Sequence, residues 1–248
     1  MTCKLDGYAM MIVSKYFDDI QTYINITQVC IKFKDTMEKF HYNPIPLTKK
    51  TRKYFPNIET LLLYSPLDET FHEETFFKRK YVFCVDCDFY QKNHNQNTEF
   101  KDVCYTKQNR ISRLSFNGTT RVVNYCFSDM DDVSAIVLPP TVQYVGANCF
   151  CLCTLSQITI PDSVTFIGYG CFSQCSRLSS IVIPSRVSEL SGCFISCEYL
   201  THVQLPNSIT KLGNYCFYGC GRLINLVIPK SVIEYGINCF KKCGYTPN

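Results

Sequence analysis

Seventeen cysteines in 248 residues are the side chains here most able to do chemistry. A thiolate can ligate zinc, attack an electrophile or oxidise to a disulfide, and each role needs a partner at a defined spacing. Six of the cysteines precede a phenylalanine, as Cys126-Phe127, Cys149-Phe150, Cys171-Phe172, Cys193-Phe194, Cys216-Phe217 and Cys239-Phe240, at steps of 23, 22, 22, 23 and 23 residues. Thiols set in a line with no histidine between them do not converge as four zinc ligands must. Cys84-Val85-Asp86-Cys87 is a lone Cys-x-x-Cys with Cys104, His72 and His94 near it in sequence; a second pair at matching spacing is missing, so no metal is expected. The four histidines, His41, His72, His94 and His202, fall in unrelated contexts, which leaves no thiol an assignable base. No phosphate-cradling glycine loop, nucleophile elbow, paired-histidine helix or kinase-type motif occurs. The expectation is a chain that is not an enzyme and carries no cofactor.

Disulfides between neighbouring repeats are geometrically conceivable, since the Cα atoms of stacked coils lie about 5–6 Å apart, but they require an oxidising compartment. The odd count, the length and the N-terminal residues favour free thiols in the cytoplasm. Tyr8 to Val13 lies between Asp6 and Lys15, is too short for a secretory leader and reads as part of a helix. Asn25-Ile26-Thr27 and Asn117-Gly118-Thr119 match the glycosylation pattern but carry little weight without a secretory route. No apolar run approaches the roughly 18 residues of a membrane span. The balance of 25 basic against 21 acidic residues gives only +4, and Lys49-Lys50-Thr51-Arg52-Lys53 and Lys78-Arg79-Lys80 read as solvated surface, so no nucleic acid is expected.

What positions the cysteines is the repeat itself. A period in the twenties marks a solenoid, whose units bury their apolar faces only by stacking. Ile136-Val137-Leu138-Pro139, Ile158-Thr159-Ile160-Pro161, Ile181-Val182-Ile183-Pro184, Val203-Gln204-Leu205-Pro206 and Leu226-Val227-Ile228-Pro229 are one short strand written five times. Alternation turns the middle residue outward, and the proline, lacking an N–H, ends the pairing. Gly146, Gly168, Gly213 and Gly236 mark a second turn that needs positive φ or a close approach to the next coil. The four-residue cysteine spacing in Cys-Phe-x-x-Cys suits one turn of helix with both thiols on one face. Stacking at roughly 4.8 Å would set Phe127, Phe150, Phe172, Phe194, Phe217 and Phe240 in a buried column, with Cys149, Cys171, Cys193, Cys216 and Cys239 as compact apolar fillers. A worn sixth unit precedes the five, with Val122, Cys126-Phe127, Met130 and Val133 near the expected offsets.

The pattern x-Ile-x-Ile-Pro-x-Ser-Val-x-x-Ile-Gly-x-x-Cys-Phe-x-x-Cys-x-x-Leu, complete in Ile158 to Leu178, resembles the leucine-rich repeats of the BspA-like family. The resemblance covers nearly half the chain and implies an α/β leucine-rich-repeat solenoid, with a parallel sheet on one face and short helical turns on the other. It also implies a role in protein recognition or surface attachment. Two departures predict local kinks: the third clear unit is one residue short, with Ser191-Gly192 before Cys193, and the first lacks a residue between Cys153 and Leu155.

Ahead of the repeats, apolar positions from Leu5 to Phe40 recur at steps of three to five and predict successive amphipathic helices. Ile12-Val13-Ser14-Lys15-Tyr16-Phe17, Tyr23-Ile24-Asn25-Ile26 and Val29-Cys30-Ile31-Lys32-Phe33 resemble an F-box, though Asp6 stands where proline usually follows the first leucine. Asn43-Pro44-Ile45-Pro46-Leu47 and Tyr54 to Leu61 are similar to the leader of protist BspA-like proteins. The expected organisation is a helical N-terminal cap or F-box-like segment over 1–50, a divergent repeat-like region over 51–110 and the repeats over 111–248. Within the middle region Phe55 to Leu63 and Tyr81 to Val85 read as strands, so the solenoid could begin near residue 52, and Gln91 to Asn97 reads as a polar loop.

Three functions remain. The first is a scaffold that binds another protein through its repeated strand face, with Val137, Thr159, Val182, Gln204 and Val227 outward, flanked by Gln157, His202 and Asn225. The second, implied by the F-box resemblance, is a substrate receptor of a ubiquitin ligase. The third, implied by the BspA-like resemblance, is a cell-surface adhesin. An uncovered last coil after Cys243 would also expose apolar surface and a sheet edge, and so invites self-association through that end.

Overall fold

The structure, a computed structural model, describes residues 6–111 and 115–246. It divides into two compact units, Met1–Val85 with Lys92–Asp102, and Asp86–Gln91 with Val103–Asn248.

In the first unit Asp6 caps α1 (Gly7–Ser14) by accepting from the amides of Tyr8 and Ala9, and Asp19 caps α2 (Ile20–Val29) by accepting from that of Thr22. The Thr22 hydroxyl and amide bonds hold the Asp19 carboxyl below its ordinary range. Cys30 then turns extended and ends α2, so the helical pattern expected beyond it gives two 3-10 turns instead, Ile31–Phe33 and Met37–Lys39. Tyr23 is fully buried, meeting Phe17, Phe55 and Phe40 edge-on at 5.2, 5.4 and 6.0 Å, and its hydroxyl donates to the Ser14 carbonyl. Burial raises its phenol well above the usual value. Parallel pairing starts before residue 52, at a bridge from Tyr42 to Thr60, and continues where β1 (Thr60–Leu63) runs beside β2 (Lys78–Asp86). The buried Asn43 side chain donates to the carbonyls of Ile45 and Leu62 and accepts from the Leu62 amide.

Then come α3 (Cys87–Asn93), which takes up the first residues of the expected polar loop, β3 (Thr98–Tyr105) and α4 (Lys107–Ile111). Beyond β4 (Arg121–Val122) every coil follows one plan. Coils 1 to 4 hold β5 (Ala135–Val137) and β6 (Tyr144–Val145), β7 (Gln157–Thr159) and β8 (Phe166–Ile167), β9 (Ser180–Val182) and β10 (Glu189–Leu190), and β11 (His202–Gln204) and β12 (Lys211–Leu212). Coil 5 holds β13 (Glu234–Tyr235), and its segment 225–227 forms no strand. Pairing is parallel throughout: β5 with β7 and β9 with β11 in the first ladder, β3-β4-β6-β8 and β10-β12-β13 in the second. The proline after each first strand turns the chain, its carbonyl accepting from the amide three residues on, as in Val164 to Pro161 at 3.0 Å and Val187 to Pro184 at 3.2 Å.

The Cys-Phe-x-x-Cys segments are tight turns, and residues 115–246 contain no helix. Two residues per turn are left-handed, the one before each cysteine or, in the first turn, before Cys126 and Met130: Tyr125 and Asp129, Asn148 and Leu152, Gly170 and Gln174, Gly192 and Ser196, Tyr215 and Gly219, Asn238 and Lys242, all at φ between 51° and 76°. A left-handed residue every fourth position forbids a helix, and the conformation is held by the next coil: the amides of Phe150, Phe172 and Phe194 donate to the carbonyls of Cys171, Cys193 and Cys216 at 2.8, 2.9 and 2.9 Å. Both thiols of each segment still point inward, as their spacing suggested. The rings stack at 5.1–5.8 Å with planes within 10°, wider than the expected 4.8 Å. Phe150, Phe172, Phe194 and Phe217 are wholly buried, whereas Phe240 is half-buried beside Tyr235 and Tyr245.

Between coils 2 and 3 both ladders lapse, with β7 not paired to β9 nor β8 to β10. The missing residue of coil 3 lies between Leu190 and Cys193, yet β10 keeps its register with β12, so the lapse falls on the coil 2 side alone. The coils stay joined there by the rings and the corner, where the Gln174 amide donates to Ile195 at 2.7 Å.

Candidate functional site

β9 and β11 bury their middle apolar side chains, Ile181 and Val203, β5 and β7 half-bury Ile136 and Ile158, and all four turn out the residues on either side. Val137, Val182 and Val227 are 70%, 58% and 79% exposed, and Thr159, Gln204, Gln157, His202 and Asn225 are exposed with them. The eight expected face residues therefore lie on one surface. Where the ladder lapses that surface is hollow: a cavity of about 650 Å³ is lined by Gln157, Thr159, Val182, His202 and Gln204 with Asp162. A second of about 490 Å³ shares Asp162, Val182 and Gln204 and extends to Ser185 and Asn207. One Asp162 oxygen accepts from the amide and hydroxyl of Ser185, and Ile158, Ile160, Pro161 and Ile181 also line the first hollow, a mixed polar and apolar lining that suits a polypeptide better than a polyanion.

The outward residues of the second ladder are occupied with each other. The Arg121 guanidinium lies 3.8 Å over the Tyr144 ring, Tyr144 stacks on Phe166 at 4.7 Å, and Lys211 stands between Glu189 and Glu234 at 3.7 and 2.9 Å. The first unit has a hollow of about 330 Å³ between Lys49, Arg52 and the 69–74 segment, but its charges are spent on structure. Arg52 bonds Glu74 at 2.9 Å, and Arg52 and Arg79 lie against the Phe76 ring. Lys78 and Lys80 both bond Glu99, whose carboxyl they hold below its ordinary range.

Cys84 and Cys104 are disulfide-bonded, against the expectation of free thiols, and the free thiols of the coils are structural. Cys153, Cys175, Cys197 and Cys220 donate to the Phe carbonyl of the preceding coil, at 2.7, 3.0, 2.9 and 3.0 Å. A small apolar side chain with a weak donor fits that place, and four-residue spacing alone could not reveal the acceptor. Burial pushes the Cys126, Cys193 and Cys220 thiols up to about 12 and Cys153 to about 11. Cys87 is buried against Thr119, its sulfur 3.2 Å from the hydroxyl, and among the described residues no three His, Cys, Asp or Glu side chains converge as a metal site. Unfolded thiols ionise near 8.5 and these ionise later, so their stabilisation is whole below about pH 8.5 and drains away up to about pH 12. The unfolding free energy from urea titration is expected to fall steeply above pH 9, by about 1.4 kcal/mol per pH unit for each such thiol, with Cys193→Ala flattening the slope.

Among the described residues no helix is long and apolar enough to cross a membrane. A family model described as BspA type leucine rich repeat region matches in six copies, over residues 98–192 and 120–246. The fold is similar to a leucine-rich repeat protein of T. pallidum (26% identity, 52% of this chain and 72% of that one, TM-score 0.43). It is also similar to a leucine-rich cell surface protein of Faecalibacterium prausnitzii (22%, 76% and 46%, 0.48) and a leucine-rich repeat protein of Bacteroides ovatus (22%, 73% and 45%, 0.45). The chain spans less than half the length of the latter two. The curated proteins contain no match.

Proposed function

Because the chain belongs to the BspA-type leucine-rich repeat family, we propose that it is a non-enzymatic scaffold that holds another protein against the first-strand face. The hollow across β7, β9 and β11 carries this reading: it joins the exposed Val182 to the exposed polar side chains of Gln157, Thr159, His202 and Gln204, while the opposite ladder has spent its side chains on itself. A partner would bury the valines and bond Gln157, Gln204 and Asp162.

Val182→Lys with Val227→Lys is expected to abolish retention of the partner in affinity capture from the native cell while leaving circular dichroism unchanged, since both side chains are outside the core. Unchanged retention would place the binding surface elsewhere. The receptor reading draws on a different surface, the exposed Tyr8, Ile12, Val29 and Ile31 of residues 7–31. A ligase adaptor among the captured proteins, lost on Ile12→Lys, would favour it. Labelling of intact cells decides the compartment, cytoplasm or cell surface.

A further inference from the structure

We propose that the first-strand face packs against the same face of a second copy of this chain, about a two-fold axis that runs along β9 and passes through Val182. The inference rests on the face reading above and names its occupant.

Three observations converge. The outward strand centres read Val137, Thr159, Val182, Gln204, Val227 from coil 1 to coil 5, and the row has the same apolar and polar order in reverse. A two-fold along the strand direction keeps strand position and reverses coil order, so Val137 meets the other copy's Val227, Thr159 meets Gln204, and Val182 meets itself. The self-complementarity that an isologous interface demands is thus written in one column.

The second observation is charge. The five seven-residue segments that form the face, 134–140, 156–162, 179–185, 201–207 and 224–230, hold two formally charged residues, Asp162 and Lys230. Nineteen of those 35 residues are exposed, and the chain's 19% charged share would place about four among them, so the face is poor in charge, as interface centres are. Under the same rotation Asp162 faces Asn207, whose amide can donate to it, and Lys230 faces Pro140. No like charges meet. His202 falls opposite Gln157, across the facing hollows, where polar rows can be bridged by water.

The third is shape and area. Stacked sheets pack face to face about 10 Å apart, and the hollows centred on coil 3 of each copy lie opposite one another under this rotation. Five coils at about 4.8 Å and seven residues at about 3.3 Å make a strip of roughly 24 by 23 Å, or about 550 Å² on each copy. The total near 1,100 Å² lies at the lower edge for a specific interface, so the assembly is a weak dimer.

Cross-linking tests the axis itself, with the full chain carrying single cysteines and its own thiols as the control. With a short bifunctional thiol cross-linker, needed because facing residues on sheets about 10 Å apart are beyond the reach of a direct disulfide, Val182→Cys alone is expected to give a linked dimer, mapped to residue 182 of both chains. Val137→Cys alone should not, whereas Val137→Cys mixed with Val227→Cys should. Sedimentation of the unmodified chain should show the mass rising toward that of two chains between about 5 and 500 µM, the range of a weak interface. A constant single-chain mass with no Val182→Cys product overturns the proposal, and a dimer linked through Val137→Cys alone overturns this axis. If those fail while Val182→Lys with Val227→Lys still loses a different captured protein, the face reading stands and the second copy falls; if that variant loses nothing, both fall.

Discussion

Phe172→Ala is expected to cost about 3–5 kcal/mol and to broaden the urea transition. Its ring is wholly buried and is stacked on both sides, 5.5 Å from Phe150 and 5.7 Å from Phe194. Removing it empties a site whose walls are fixed by the corner bonds, from the Phe150 amide to the Cys171 carbonyl and from the Phe172 amide to the Cys193 carbonyl. Its place makes it worse, because Phe172 and Phe194 bridge coils 2 and 3 where neither strand is paired. A stack whose stability is the sum of neighbouring interfaces should then melt in two parts, seen as non-coincident far-ultraviolet and tyrosine-fluorescence transitions. Phe240→Ala, at a half-buried ring, should cost much less. Equal losses at the two positions would show that the column does not carry the cohesion.

Gly168→Ala should cost about 2–4 kcal/mol, unusual for adding one methyl group. A Cβ there would stand 2.4 Å from the Ala147 amide nitrogen and 2.6 Å from the Gly146 carbonyl carbon, both backbone atoms of the coil below, which cannot swing away. Gly236 is the same, with Asn214 nitrogen at 2.2 Å. The penalty is steric, since neither glycine is among those with positive φ. Gly221→Ala, with nothing within 4 Å, should change the midpoint by less than about 0.5 kcal/mol. If Gly168→Ala proves as mild as Gly221→Ala, the coils pack more loosely at that turn than described.

The repeat made most of the fold legible. A period of 22 or 23 with alternation before each proline leaves one solution, parallel strands one coil apart, and it also told inward from outward at Thr159 and Val182. The Cys-Phe-x-x-Cys turn misled because a four-residue spacing fits a helix as well as two left-handed residues, and the side chains that adopt them, Leu152, Gln174 and Tyr215 among them, have no left-handed preference of their own. Neighbouring coils impose that conformation. The short third unit was visible in Ser191-Gly192, yet a count of residues cannot say which pairing yields: β10 keeps its register with β12 and has no ladder to β8. At the N-terminal end the extended Cys30 cut short a helical pattern that its side chains alone would have continued.

The bonds of the cysteine corner point in both directions along the stack. In the middle coils the phenylalanine amide gives its proton to the coil ahead, and the second thiol gives its own to the coil behind. A coil so joined is an interchangeable part. Duplicating or excising one whole unit restores the joint at either side, whereas a gain or loss of a few residues leaves a donor with nothing to reach. Recombination between repeats could therefore lengthen or shorten such a chain in steps of 22 or 23 residues, carrying new outward side chains at each step without redesigning the interior.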